Sequence, residues 1–241
     1  MALESKTRRR ERAAEIHRRL REQFPVAECA LHHRNAFELL AATILSAQCT
    51  DERVNQVTPA LFAEFPNAAT LAVGPLDRVE ELVRTTGFFR AKARNLMEMA
   101  KTLVERHGGK VPGDLDSLVQ LAGVGRKTAN VVLGNCFGIP GLTVDTHMQR
   151  VNQRLGLVAG EEAGAIEREL MDIIPQGDWT EWSHRIILHG RATCEARKPR
   201  CEDCSLADLC PSFQKAQSGS PRAKSPAQVG RKAPRKARTP K

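Results

Sequence analysis

From residue 8 to residue 190 the chain is a succession of short apolar patterns at helical spacing, each ended by residues that cannot continue it. The patterns cover 8–22, 35–47, 52–65, 76–84, 89–107, 115–121, 126–137, 146–156, 161–173 and 178–190. Apolar side chains at three- and four-residue intervals mark helices with one buried face. Pro25, Pro66, Pro75, Pro112, Pro140 and Pro175 fall between the patterns, where a fixed φ and a missing N–H do least harm. Gly87, Gly108, Gly109, Gly123 and Gly160 read as caps or turns. Alternating β-branched runs are almost absent, so the expected fold class is all-α. Tyrosine is missing and aromatics are 4% of residues, which leaves Leu, Val, Ile and Ala to build a core of closely packed helices. A chain of 241 residues can bury one sizeable core or two modest ones.

Charge is unevenly placed. Residues 214–241 hold nine Lys and Arg and no acid, and the chain totals 37 basic and 28 acidic residues, so the remainder is balanced at 28 against 28. The whole formal excess of +9 therefore belongs to the tail. Its Pro, Ala, Ser and Gly content is too poor in apolar surface to offset ordering entropy, so 214–241 is expected to be disordered, and either to attract phosphate without reading sequence or to serve only as a solubilising tail with no partner. A second basic cluster, Arg8, Arg9, Arg10, Arg12, Arg18, Arg19 and Arg21, lies on the first helical pattern. No apolar stretch reaches the roughly 18 residues of a membrane span, and the Arg-rich start has no apolar segment of a secretory signal. Glu4, Glu11 and Glu15 also argue against an organellar transit peptide. The expectation is a cytoplasmic, bacterial-type chain with no membrane partner.

Four of the seven cysteines crowd into CEARKPRCEDCSLADLC, giving C-x6-C-x2-C-x5-C at Cys194, Cys201, Cys204 and Cys210. Four thiolates from one short loop can hold a tetrahedral zinc or an iron–sulfur cluster. Structural zinc more often uses two C-x2-C-like pairs, and only one is present; the uneven spacing leans toward a cluster while matching neither common ferredoxin pattern. In either case the metal's role reads as structural. It would fix the loop carrying Arg197, Lys198 and Arg200, which then either contact phosphate or form an ordinary solvated loop. Cys29, Cys49 and Cys136 read as small buried hydrophobes. His184 and His189 are expected to pack rather than to bind metal.

The stretch LAGVGRKTAN at 121–130 reads as helix, glycine turn, helix. Gly123 and Gly125 let the backbone turn tightly and present N–H groups at the start of a helix, where the dipole favours an anion. This is the pattern of a helix-hairpin-helix grip on a nucleic-acid backbone. Lys127 then lies beside the strand, as a phosphate-binding cation or as a nucleophilic amine. The helix start, with partial burial against the following Ala/Val run, would favour the free amine that imine chemistry needs. Asp145, ahead of the pattern at 146–156, reads both as an N-cap and as a carboxylate able to stabilise positive charge on a sugar.

Taken together, L-S-A-Q at 45–48 with Thr50-Asp51, T-G-F-F-R-A-K-A at 86–93, L-A-G-V-G-R-K-T-A at 121–129, V-D-T-H at 144–147 and H-G-R-x-T-C running into the cysteine loop resemble the endonuclease III family of DNA glycosylases. The likeness spans roughly residues 25–213. It implies two helical domains, a six-helix barrel at 29–139 and a cluster domain made of 1–28 and 140–213, with a cleft between them and one [4Fe-4S] cluster on the four cysteines. The implied activity is that of a bifunctional glycosylase and AP lyase, acting as a monomer on double-stranded DNA with a damaged base, mainly an oxidised pyrimidine, or an abasic site in the bacterial nucleoid. The nucleotide is flipped out of the stack. Lys127 attacks the sugar and Asp145 is the catalytic carboxylate. Gln48 fills the vacated space, Asp51 approaches the lesion pocket, and Phe88, with Phe89, wedges the opposite strand. Gly123, Gly125, Arg126, Thr128 and His147, with Arg197, Lys198 and Arg200, are the implied DNA contacts.

Ala122 stands where the family hairpin usually has proline, and Phe88, Phe89 and Arg90 replace smaller or more polar residues, which leaves lesion and opposite-base preference open. Two rivals remain. One is a monofunctional relative that removes adenine from mismatches, a branch that typically lacks a lysine at position 127 and has a further domain. The other is a non-catalytic DNA-binding module, against which the joint presence of Lys127 and Asp145 counts.

Overall fold

The computed structural model describes residues 4–219, and every regular element in that range is helical. The helices are α1 (Lys6–Gln23), α2 (Ala36–Leu45), α3 (Asp51–Glu64), α4 (Ala68–Ala72), α5 (Leu76–Val83), α6 (Phe89–His107), α7 (Leu115–Leu118), α8 (Arg126–Cys136), α9 (Thr146–Arg154), α10 (Ala163–Met171), α11 (Trp179–Ala192) and α12 (Pro211–Gly219). The ends follow local chemistry: Ser5, Asn35, Thr50, Asn67, Asp114 and Asp145 each accept from a first-turn N–H. Two short elements escape the sequence reading. α4 has five residues, too few to show a period, and is fixed by a capping box between Asn67 and Thr70.

The second is α12, which corrects the expected start of the disordered tail. Pro211 opens the helix, Gln214 Nε2 donates to the Asp208 carbonyl at 2.8 Å, and Phe213 faces the cavity lined by the four cysteines. That contact supplies the apolar burial the composition alone could not show. The rest of the expected tail, 220–241, lies outside the described residues.

Buried apolar side chains form two groups. One runs from Leu31 to Leu133 and is built by α2 to α8. The other combines Ala13, Ile16 and Leu20 of α1 with residues from Leu142 to Leu206. At ~25 cal/mol per Å² of apolar surface, each such core is the main stabilising term for the helices around it. The N-terminal helix therefore belongs to the C-terminal core. The arginines of α1 explain how it is held: Arg12 donates to the carbonyls of Leu155, Gly156 and Leu209, Arg10 to that of Asp172, and Arg19 to Asp208 at 2.6 Å. Much of the charge cluster on the first helix is thus spent within the fold, a large part of it on carbonyls that helix ends and turns leave free. Among the described residues, no helix is long and apolar enough to cross a membrane.

Candidate nucleic-acid interface and catalytic cleft

The hairpin forms between α7 and α8. Gly123 has φ +74°, and a Cβ there would lie 3.0 Å from Asn95 Nδ2, so the fold itself demands glycine. Gly125 differs: its φ of −95° suits any residue, and a Cβ would meet nothing within 4 Å. It is the N-cap of α8, no side chain caps that end, and the first turn carries no acid. The N–H groups of this end are left open to an anion. Arg126, expected to contact DNA, is exposed and is paired with a carboxylate of the second core. Its Nε donates to Glu167 Oε2 at 2.8 Å and its Nη2 to Oε1 at 3.2 Å. Glu167 is buried on α10 and also accepts from Asn130 Nδ2 at 3.1 Å, so the guanidinium ties the hairpin to the second core because that carboxylate must be neutralised. Thr128 is half-buried on the same helix.

Behind the hairpin is a cavity of about 300 Å³ between the two cores, lined by Lys127, Asp145, Asp51, Thr143, Asn130, Ser46 and Arg191 among others. Lys127 stands exposed at its edge, and its amine has no hydrogen bond or ion pair among the described residues. Burial against the Ala/Val run, expected from sequence, does not occur: those residues point into the first core and the lysine does not. Asp145 caps α9, accepting from the Met148 N–H at 2.8 Å with one oxygen while lining the cavity. The two readings of this residue are compatible, since a cap uses only one of the carboxylate's acceptors. Asp51 is bound by Arg191 Nη2 at 2.7 Å. His147 is half-buried, its Nδ1 3.1 Å from Arg150 Nη2, and burial holds its pKa below the usual histidine range. It lines the cavity rather than projecting from it.

Two loops flank this region. Gln48 has φ 54° and Phe88 φ 46°, the only described non-glycine residues in the left-handed region. Such backbones cost of order 1 kcal/mol or more and gather at functional sites. Phe88 is 71% exposed, an unusual state for so large an apolar ring. Phe89 does not share it: half-buried against the first core, its ring sits 5.9 Å from the Arg84 guanidinium and 5.5 Å from that of Arg90. Of the two expected wedges, only Phe88 projects.

Cys194, Cys201, Cys204 and Cys210 line one cavity of about 230 Å³ together with Arg154, His189 and Phe213. No three of the sulfurs lie within 4.8 Å of one another. A tetrahedral zinc, with Zn–S of about 2.3 Å, would hold them about 3.8 Å apart, so the opening suits a larger centre. Donors already face the sulfurs: Arg154 Nη1 lies 3.4 Å from Cys194 Sγ, and the Leu206 N–H donates to Cys204 Sγ at 3.4 Å. Burial pushes the Cys201 and Cys204 thiols up, a cost that a bound metal would offset. The donor set therefore fits an iron–sulfur group. Arg197, Lys198 and Arg200 are exposed on the loop between the first two cysteines.

Residues 41–176, which contain the hairpin and Asp145, match the family described as HhH-GPD superfamily base excision DNA repair protein. The chain is 53% identical over 207 residues to the endonuclease III of Synechocystis sp., covering 86% of this chain and 94% of that one. It is 44% identical to the endonuclease III of Escherichia coli over 198 residues, covering 81% and 93%. The chain belongs to the endonuclease III family. Among solved structures, a trapped endonuclease III–DNA covalent intermediate superposes with a TM-score of 0.82 at 42% identity, covering 86% of this chain and 98% of that one. A thermostable thymine-DNA glycosylase, 21% identical with a TM-score of 0.77, shares the fold.

Three residues of this endonuclease III-family chain escaped the sequence reading. Arg191 was visible only within a quoted motif; its contact with Asp51 is 140 positions away and has no local signal. Glu167, inside the pattern at 161–173, carried no signal of its own, yet it is buried. Lys92 sits in the pattern at 89–107 as a lysine that any helix surface would carry, yet it is 4% exposed.

Proposed function

We propose that this chain is a bifunctional DNA glycosylase and AP lyase of base excision repair, acting on duplex DNA that carries an oxidised pyrimidine or an abasic site. The observation that carries the reading is the placement of Lys127 and Asp145 on one cavity beside an uncapped helix start. The hairpin N–H groups hold the backbone phosphate, and the flipped nucleotide enters the cavity. The Lys127 amine attacks C1′; the base departs with the electrons of the glycosidic bond and takes up a proton. The C1′–O4′ bond then breaks, O4′ taking up a proton and the nitrogen lone pair closing the C=N bond; this ring-opened iminium acidifies the sugar C2′–H, a proton is removed there, and the C3′–O bond breaks with phosphate as leaving group. Asp145 stabilises the positive charge that develops on the sugar. Gln48 occupies the vacated space, and Phe88 enters the stack of the opposite strand. Asp51 meets the lesion edge.

Cys194, Cys201, Cys204 and Cys210 hold one [4Fe-4S] cluster, whose part is to fix the loop that presents Arg197, Lys198 and Arg200 to phosphate. The division into a barrel domain at 29–139 and a cluster domain from 1–28 and 140–213 follows the two groups of buried residues. The enzyme acts as a monomer at the bacterial nucleoid. A monofunctional mismatch glycosylase is disfavoured by the unpaired Lys127 amine on the cavity.

Borohydride trapping tests the assignment. The purified protein with a duplex carrying thymine glycol should become covalently attached to DNA, and Lys127→Ala should not. Base release by the wild type without any trapped complex would rule out the lyase chemistry.

A further inference from the structure

Lys92 is the only lysine buried among the described residues, and it lies in the first turns of α6. Its Nζ donates to the Leu45 carbonyl at 2.8 Å and to the Thr86 carbonyl at 2.6 Å. Leu45 is the last residue of α2, and Thr86 is the last of the 3-10 turn Arg84–Thr86. Both carbonyls are ones that a helix end leaves without an intrahelical donor, and the negative ends of two helix dipoles meet at a single ammonium. No carboxylate pairs with Lys92 among the described residues, so the carbonyls alone hold the charge. Burial holds its pKa below the usual lysine range.

The place of those carbonyls in the chain matters. Three residues beyond Leu45 is Gln48, and two beyond Thr86 is Phe88, the two described non-glycine residues with left-handed backbones. A buried cation is costly, and a helix surface lysine at position 92 would have been cheaper for the fold. We propose that Lys92 is a positioning residue that locks the Gln48 loop and the Phe88 loop into one rigid unit, so that both side chains enter the duplex together as a nucleotide is extruded. This rests on the reading of the chain as a base-flipping glycosylase. Extrusion opens one gap and strands one unpaired base; loops that moved separately would each have to be ordered at that moment, whereas a joined pair is ordered in advance. A lysine suits the task better than an arginine, because a compact ammonium can reach two converging carbonyls.

The test places 2-aminopurine opposite an abasic site in a duplex, where wedge insertion unstacks it and raises its fluorescence. Wild type should brighten on binding. Lys92→Met, which keeps volume and removes the donors, should lose roughly tenfold in the rate of brightening and of base excision while its affinity for undamaged duplex, set by phosphate contacts, stays within about twofold. Brightening at the wild-type rate overturns the proposal, and so does a parallel loss of brightening and undamaged-duplex affinity, the mark of a merely structural lysine. If Lys92→Met does not fold, Lys92→Gln, whose amide can still reach one carbonyl, is read by the same two measurements. A wild type that binds duplex but neither brightens nor excises overturns the glycosylase reading and this proposal with it; excision by the wild type with unaltered brightening in the variant overturns this proposal alone.

Discussion

Arg191 and Asp51 join the two cores across the cavity: Nη2 to Oδ2 is 2.7 Å, with Arg191 near the end of α11 and Asp51 at the start of α3. The side chains are 44% and 21% exposed, so solvent screens the pair, and such bridges contribute about 0–1 kcal/mol. Arg191→Ala should therefore change the thermal midpoint little. It frees the Asp51 carboxylate in the pocket that receives an anionic backbone, so excision should fall by roughly tenfold, an effect of about 1.4 kcal/mol on the transition state. Calorimetry and single-turnover excision on the same samples check both halves.

The two hairpin glycines should separate fold from binding. Gly123→Ala strains a left-handed backbone against Asn95 and should cost about 1–3 kcal/mol of stability. Gly125→Ala enters open space at an ordinary φ and should leave the melting temperature unchanged. Its methyl group instead obstructs the backbone approach to phosphate, so duplex affinity should drop while unfolding does not move. Paired melting and fluorescence-anisotropy titrations distinguish the cases.

Arg126 should behave as a structural residue. Arg126→Ala leaves the buried Glu167 without its cation, and should lower stability by about 1–3 kcal/mol, reduced from the value for a fully buried pair because the guanidinium is exposed on one side. Were it a phosphate contact, removal would flatten the dependence of log affinity on log salt by about one unit. The expected outcome is an unchanged salt slope with a lower denaturant midpoint.

Acid should destabilise the second core early. Burial, then the Arg21 charge, holds His17 below 6.5; burial, then Arg185, does the same for His184. In the unfolded chain these imidazoles protonate near 6.5 while the folded ones stay neutral, so their stabilising contribution is full above pH 6.5 and is lost as pH falls toward the folded-state values. His17→Phe, which keeps the edge contact with Trp182, should lessen the fall in urea midpoint between pH 7 and pH 5.

Removing metal should loosen one end of the molecule. The four cysteines, α12 and Arg154 share a cavity, while the core from Leu31 to Leu133 contains none of them. Chelation or oxidative loss of iron should raise amide exchange across 194–213 and leave α2 to α6 protected, as expected when one supporting group is withdrawn from a locally cooperative unit.

The helices were legible because their causes are local. Apolar spacing, Asn35, Thr50 and Asp145 as caps, and prolines between patterns all act within a few residues, so ten helical patterns could be read directly. Where the local signal was too short, as in α4, or lay in a partner, as for α12 against the cysteine cavity, the reading failed. Lys127, Asp145 and the cysteine quartet were found as residues, since a glycine turn and a thiol spacing are written in the chain. Asp145 also reads as aimed across a cleft at Lys127, and both line one cavity; the fate of each charge was not legible. Arg126 read as a DNA contact, the arginines of α1 showed only as a basic cluster, and Lys92 carried no signal of its own; the structure pairs them with Glu167, backbone carbonyls and two helix ends. Sequence determines which side chains are charged and which backbone groups helix ends leave unpaired. Only the tertiary fold decides which of them meet, because the partners lie tens to more than a hundred residues apart and are brought together by burial of the two apolar cores.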